Sequence, residues 1–346
     1  MKALNRSWFV AFGLGLMAGS HPAWALDDIP TQSGLSGTVT LLAGYSDADT
    51  NLVRGSELWE IGGKSVNNVF QNPKNESETF FTPGIDLAYT FGSWRAQAFI
   101  EGDIEDYVTL ETTSQIGFRK QFDKLGIVSL AYVTSGLLSQ EVYSDPYDAT
   151  GPRADTDRDF TGARFIWDRI AGLPIELFLQ YRDIEIDSER SGTLGGLGLT
   201  PGQIASLDRE GDDYRAEIKY SWRKSAEEVF SPFIGYTNED VDGDAIKNDG
   251  FYVGLDAGYQ SKTWGLAGRI KAGTRDADSG NPVYAGRRTD TDYYEIGATG
   301  NIKLPWGENW YGIGSVVWAE DNSKVDFHDQ TNLLFFGGAS WHFGQK

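Results

Sequence analysis

The 346-residue chain contains no cysteine. Disulfides therefore cannot staple it, and no thiolate is available to bind a metal or act as a redox centre. Histidine is nearly as scarce, with only His21, His328 and His342. Nucleophilic and general-base catalysis ordinarily needs a histidine oriented by a carboxylate, so few positions could support a hydrolase. Basic charge is also in deficit. Thirty Lys and Arg stand against fifty Asp and Glu, a formal net charge of −20, which argues against nucleic acid as a partner. Long hydrophobic runs are missing too. The one apolar stretch, Trp8 to Met17, is shorter than the roughly 20 residues a membrane helix requires.

That stretch follows Lys2 and Arg6 and closes on Ala23, Trp24 and Ala25, the basic, apolar and small-residue order of a secretory signal peptide. Residues 1–25 are expected to be cleaved, leaving residues 26–346 as one domain without a membrane helix. Cleavage removes two basic residues and no acid, so the mature chain carries 28 basic against 50 acidic groups.

What the chain does have is glycine (42), aromatic residues (13%) and strict alternation. In Tyr214 to Trp222, Tyr214, Ala216, Ile218, Tyr220 and Trp222 fall on one face, and Arg215, Glu217, Lys219 and Ser221 on the other. A strand's side chains alternate with period two, so one face is apolar and the other charged. The pattern recurs at Val39 to Tyr45, Ile175 to Tyr181 and Phe251 to Tyr259. Aromatics collect at segment ends, among them Trp94, Trp167, Trp222, Trp264, Trp310 and Trp318, where the girdles of a membrane barrel would lie. A soluble β-sandwich alternates as well, with its aromatics in the core.

The connections distinguish the two. Short ones (Gly92 to Ser93, Asp123 to Gly126, Asp168 to Pro174, Arg223 to Glu228, Lys262 to Thr263, Lys303 to Asn309) alternate with long, acidic, glycine-rich ones. The long ones are Ser46 to Glu78, Gln140 to Asp159, Ser188 to Asp213, Asn238 to Asp249, Asp276 to Asp290 and Ala319 to Gln330. One brief connection, Asp103 to Asp106, stands where the alternation requires an outer loop. The expectation is an all-β, closed antiparallel transmembrane β-barrel of about fourteen strands (range 12–16), with six periplasmic turns and seven outer loops. Closure is required because an open edge in lipid leaves backbone groups unpaired.

With apolar faces toward lipid, the opposite faces line the interior. Pore-lining candidates are Arg95, Arg119, Arg164, Arg182, Arg215, Lys219, Arg269 and Lys271, with Glu217, Asp256 and Glu295. Gln97, Asp86, Glu101 and Glu176 share those faces. Charges facing hydrocarbon cost about 2–4 kcal/mol each at the midplane, so a water-filled interior suits them. The expected function is passive diffusion of small hydrophilic solutes, with a weak preference for anions. In the alternative arrangement the same residues pair into salt bridges that plug a narrow barrel. No cofactor is expected. Expected partners are outer-membrane lipid and lipopolysaccharide, the barrel-assembly machinery and the solutes themselves, in the outer membrane of a Gram-negative bacterium.

Other readings rest on single features. Asp240, Asp242 and Asp244 have the carboxylate density of a calcium loop without the glycine and glutamate spacing of the helix-loop-helix site, so a solvated loop is the plainer reading. His328, between Asp326 and Asp329 in the last outer loop, could activate water in a hydrolase. A barrel acting through its loops, as an adhesin, receptor or structural envelope protein, is the other non-channel reading. Glycines on strands, such as Gly254, Gly258 and Gly268, are expected to permit bending.

The last strand places Leu333, Phe335, Gly337, Ala339, Trp341 and Phe343 on one face, which resembles the C-terminal strand of outer-membrane barrels. Gly344, Gln345 and Lys346 follow the phenylalanine, a departure from that pattern. Several stretches together resemble an uncharacterised family of Gram-negative envelope proteins, domain-of-unknown-function family 2860. They are Ser33 to Gly37, Gly44 with Tyr45, Gly117 to Gln121, Asp157 to Asp159 with Trp167 to Arg169, and Asp208 with Arg209 and Gly211 to Arg215. The resemblance spans nearly all of the mature chain. It implies a barrel and an envelope location and supplies no catalytic residue.

Overall fold

The computed structural model describes residues 28–56, 59–135 and 139–344. The expected signal peptide lies outside the described residues.

Fourteen antiparallel strands close into a barrel: β1 (Gly34–Asp49), β2 (Asn75–Phe91), β3 (Ala96–Asp106), β4 (Glu111–Phe122), β5 (Gly126–Thr134), β6 (Asp155–Asp168) and β7 (Ile175–Ile186), then β8 (Gly211–Tyr220, continued by Trp222–Arg223), β9 (Glu228–Val241), β10 (Asn248–Gln260), β11 (Trp264–Ala277), β12 (Thr291–Lys303), β13 (Trp310–Ser323) and β14 (Gln330–Phe343). Each strand pairs with its sequence neighbour, and β14 returns to β1 from Gly37↔Phe343 to Asp49↔Thr331. The closing seam thus runs nearly the full length of both strands and leaves no edge there. Six short turns occupy one end of the barrel and seven connections the other, here called the turn end and the loop end.

Burial is inverted relative to a soluble sandwich. Ile234, Val253 and Ile296 are 56%, 57% and 53% exposed on the outer face, whereas Arg164, Glu217, Asp256 and Glu295 are buried inside. A soluble fold would bury the first set, so the outer face is the apolar band of a membrane barrel. Trp94, Trp222, Trp264, Trp306 and Trp341 stand exposed near the turn end. Tyr45, Tyr181, Tyr214 and Tyr294 do so near the loop end. The strands run several residues past these aromatics, so the long connections begin later than composition indicates. β1, for example, continues to Asp49 and β2 begins at Asn75.

The brief connection departs from expectation. It does not project outward as a loop. β2 pairs with β3 only from Leu87↔Ile100 to Phe91↔Ala96, and β4 begins pairing with β5 at Ser114↔Thr134. Beyond those points β3 and β4 pair only with each other, and their hairpin bends into the barrel. Pro83 lies in the stretch of β2 that β3 abandons, as suits a residue without an N–H at a sheet edge. Loop segments complete the wall there. Val53–Ser56 pairs with Gln140–Tyr143, which pairs with β6, and Trp59 stacks on Phe80 of β2 at 4.6 Å.

The hairpin sequence accounts for the inward turn. Ile104, Tyr107, Val108 and Leu110 leave few polar side chains at the tip, and fully burying one large apolar side chain is worth about 1.5–3 kcal/mol. All four bury against Leu42, Phe80, Val317, Leu334 and Phe336 on the inner faces of β1, β2, β13 and β14. Asp106 accepts hydrogen bonds from the backbone N–H groups of Val108 (2.7 Å) and Thr109 (3.2 Å), fixing the turn.

Candidate functional site

The barrel interior is built from the inward rows of β3 to β13. Register sets oppositely charged or hydrogen-bonding side chains directly across from one another: Gln97↔Arg119, Glu176↔Lys219, Gln180↔Arg164, Asp256↔Arg269 and Lys271↔Glu295. Such pairs are the unit of side-chain stabilisation in a sheet. Arg269 Nε donates to Asp256 at 2.6 Å and Lys271 Nζ lies 2.7 Å from Glu295. Lys219 reaches Asp256 at 3.2 Å and Glu217 at 3.6 Å. Arg119 pairs with Glu101 at 3.6 Å. Arg182 is held between Glu111 at 2.7 Å and Asp213 at 3.2 Å.

The hairpin knits this wall across the lumen. Glu105 binds Arg164 of β6 and lies 3.6 Å from Arg215 of β8. On the opposite side the Tyr107 carbonyl accepts from Asn332 of β14 (2.8 Å), while back beside β6 the Thr109 carbonyl accepts from Gln140 (3.0 Å). One short segment therefore touches both sides of the barrel. The wall residues pair with neighbouring strands, and Glu105 of the hairpin reaches Arg164 and Arg215 from within the lumen.

Aromatic rings lie flat beneath the cations. Phe233, Tyr252 and Tyr293 form a buried interior cluster, with Arg269 over Phe233 at 5.3 Å and Arg275 over Tyr293 at 4.7 Å. Glycines make room for them. A Cβ on Gly235 would sit 2.0 Å from the Tyr252 ring, and one on Gly254 would sit 2.2 Å from Phe233. Gly254 is thus a seat for a ring rather than the bending point expected.

Above the hairpin lies a chamber of about 340 Å³. Its wall includes Asp106, Glu239, Arg275, Tyr252 and Tyr293, with Tyr147 and His328 from the loops. The roof is an apolar cluster to which six loops contribute: Val66 and Val69, Tyr147, Leu207, Ala245, Tyr284, and Val325 with Phe327. Burial holds the His328 imidazole well below its usual range, at about 4. The same cause pushes the Tyr147 hydroxyl up to about 12.

At the turn end the segment before β1 lies along the rim. Asp28 is paired with Arg169 at 2.5 Å and Arg95 at 3.5 Å, and the Arg169 hydrogen bond holds its carboxyl below the usual range. Ile29 is buried and its N–H donates to Gln121 at 2.8 Å.

The expected pore-lining residues therefore divide. Arg119, Arg164, Arg182, Arg215, Glu217, Lys219, Asp256, Arg269, Lys271 and Glu295 all point into the interior. Arg95 does not. It occupies a left-handed position in the β2–β3 turn, at the rim. The strand pattern missed the hairpin acids Asp103, Glu105, Asp106 and Glu111, as well as Arg158, Asp213, Glu239, Arg275 and Asp321. The signal for the first group was on the page: a connection rich in Ile, Tyr, Val and Leu, with no glycine or proline, is a poor outer loop. In the last outer loop, His328 packs against Tyr147, Tyr284 and Phe327, and its Nε2 is buried without a hydrogen-bond partner. Asp329 accepts instead from the Ser323 N–H at 2.8 Å, so no His–Asp pair forms. Asp240 and Asp244 face Lys247 at 2.9 and 3.7 Å. The N–H of Asp242 donates to the Glu210 carbonyl. Among the described residues, no group of three or more His, Asp or Glu is arranged to hold a metal.

No curated protein matches the sequence. Among solved structures the chain is similar to the TodX monoaromatic hydrocarbon channel (10% identity, TM-score 0.49, covering 97% of each chain). It is also similar to the outer membrane channel DcaP of Acinetobacter baumannii (12% identity, TM-score 0.39, covering 90% of this chain and 97% of that one). A third is an anion-selective porin from Comamonas acidovorans (10% identity, TM-score 0.36, covering 90% and 99%). All three likenesses have TM-scores below 0.5 and identities of 10–12%. The family model described as "Protein of unknown function (DUF2860)" matches residues 34–342, nearly the whole barrel, and the chain belongs to that family.

Proposed function

We propose that the chain is a channel of the Gram-negative outer membrane that passes small hydrophilic solutes passively and is held here in an occluded state. The observation that carries this reading is the chamber of about 340 Å³ within the barrel, lined by charged, aromatic and aliphatic side chains, with a hairpin below and a loop roof above. A barrel that served only as a scaffold has no need of an interior chamber lined with charge, and buried charge is costly unless paired or solvated. Six loops packed into one apolar core favour a lid over a displayed adhesive surface. With Arg95 at the rim, the strand rows alone balance at nine basic against nine acidic, and the hairpin's carboxylates tip the interior toward negative charge. Contact with lipid and lipopolysaccharide through the apolar band, and delivery by the barrel-assembly machinery, belong to the same reading.

Planar-bilayer recording and liposome swelling test it. The purified protein is expected to give brief, sparse openings. Replacing residues 107–110 by a short glycine turn is expected to raise their conductance modestly at neutral pH, where the roof stays shut, and more strongly at acid pH. Absence of any conductance or swelling from both proteins would overturn the channel.

A further inference from the structure

The hairpin of β3 and β4 presents two carboxylates to arginines of the wall, and each carboxylate is shared by two of them. Glu105 binds Arg164 of β6 and lies 3.6 Å from Arg215 of β8. Glu111 lies 3.0 Å from Arg158 of β6 and 2.7 Å from Arg182 of β7. Arginine suits this task, because its charge is permanent and its planar fork of donors matches a carboxylate. Both acids, together with Arg158, Arg182 and Arg215, line the chamber.

The wall holds these cations from behind, without help from the hairpin. Phe178 of β7 lies beneath both Arg164 (5.2 Å) and Arg215 (5.1 Å), and Phe160 of β6 lies beneath Arg182 (4.8 Å). Arg164 Nε donates to Gln180 and Arg215 Nε to the Tyr252 hydroxyl, each at 2.8 Å. Arg182 and Arg215 have acids of β8 as well, Asp213 at 3.2 Å and Glu217 at 3.1 Å. Arg158 and Arg164 do not. Among the described residues, the only carboxylate within 4.0 Å of either belongs to the hairpin, which pairs with no wall strand at that level. Withdrawing the hairpin would leave two guanidinium groups of the interior uncompensated, a costly state unless another anion takes its place.

We infer that β6, β7 and β8 carry a binding site for a small carboxylate-bearing solute, that Glu105 and Glu111 occupy it as tethered stand-ins, and that such a solute releases the hairpin by replacing them. Passage of the solute rests on the channel reading; the site does not. The exchange swaps one carboxylate for another, so the arginines keep their ion pairs throughout. The tethered acids compete at an effective concentration on the order of millimolar. Two carboxylates are held at once, which favours a dicarboxylate over a monocarboxylate. The chamber, at about 340 Å³, is at the low end of small-molecule sites of about 300 to 1,000 Å³, which limits the solute to a small one.

The test uses the full mature protein in detergent, with succinate as probe and butyrate and protonated 1,4-diaminobutane as comparisons. Titration calorimetry is expected to show weak succinate binding to the wild type, which must first release its own carboxylates. Binding to the Glu105→Gln, Glu111→Gln double variant is expected to be tighter by about tenfold or more, since the tethered competitor is gone. Each single substitution should fall between, and stands in for the double variant if that one does not fold. Butyrate should bind more weakly than succinate, and adding Arg158→Gln should remove most of the gain. Glu239→Gln serves as control for bulk charge. It removes a chamber acid that accepts from Asn248 at 2.6 Å, and it should tighten succinate binding far less. No succinate binding to the variants, or equal tightening by Glu239→Gln, overturns the site. Equal affinity in wild type and double variant overturns the hairpin as its occupant. Preference of the double variant for diaminobutane overturns the charge class. In liposome swelling, succinate should enter faster through the double variant than through the wild type. Binding without entry of any solute leaves the site standing and removes the channel.

Discussion

At the scale of single residues, alternation made the interior rows readable before any coordinates. Arg215, Glu217 and Lys219 had to share a face opposite Tyr214, Ala216 and Ile218, and the structure puts them inside. Arg95 defeated the same reasoning because period two fails where the backbone turns left-handed, with φ at 50°. Tyr252 and Tyr293 were on the correct face, but their relation to glycines on neighbouring strands depends on register, which periodicity within one strand does not contain. That relation yields a prediction. Gly235→Ala drives a methyl group into the Tyr252 ring, and the ring cannot move without releasing its hydroxyl from Glu217 (2.9 Å) and Arg215 (2.8 Å). Overpacking of this kind costs about 1–3 kcal/mol. The temperature at which the barrel loses its compact, detergent-resistant form on electrophoresis is expected to fall, and an unchanged temperature would falsify the seat assigned to this glycine. Glu105→Gln makes the complementary case. Breaking a buried ion pair by removing one partner costs about 3–5 kcal/mol, but here the loss falls on hairpin docking and not on the wall. Conductance should rise while the melting of the barrel changes little. A fall in melting temperature with conductance unaltered would mean that Glu105 supports the wall instead.

At the scale of elements, fourteen strands and the turn–loop asymmetry were legible, because each strand buries one face in apolar surroundings and punctuates itself with turn residues. The hairpin of β3 and β4 was legible only as an anomaly, a connection too short for its place. Its destination depends on Leu42, Phe80 and Phe336, which are distant in sequence and meet it only in the closed barrel. The roof is a similar case. Val66, Leu207, Tyr284 and Phe327 come from four loops that read separately as solvated, and they gather only once closure brings the loop ends together. His328 sits in this roof with Tyr147 and Tyr284 against its ring, both hydroxyls pushed up by burial and uncharged at neutral pH. Asp326 and Asp329 flank it, and burial raises the Asp329 carboxyl. The closed roof depresses the imidazole from its ordinary 6.5 to about 4, so the opened roof binds the proton more readily. Stability of the closed roof is therefore complete above about pH 6.5 and declines as pH falls from there toward 4, by up to roughly tenfold per pH unit for one proton. Asp329 acts in the opposite sense, taking up its proton more readily while the roof is closed. His328→Gln separates the two: open probability of the wild type should climb on acidification across that window, and that of the variant should not. An identical pH profile in both would assign the effect elsewhere.

At the scale of the whole molecule, the barrel is obstructed at two levels along one axis, by the loop roof and by the hairpin beneath the chamber. Obstructions in series do not contribute independently to flow, because the larger resistance governs. Replacing residues 107–110 by a short turn should therefore raise conductance only modestly at neutral pH, where the roof stays shut. Acidification alone should be limited in turn by the docked hairpin. Applied together, the two changes should increase conductance by more than the sum of the separate gains, and His328→Gln should abolish that excess without altering the gain from the hairpin change. The measurement is single-channel recording of four proteins at neutral and acid pH: wild type, hairpin replacement, His328→Gln and the combination. Simple additivity would mean that solutes bypass the roof.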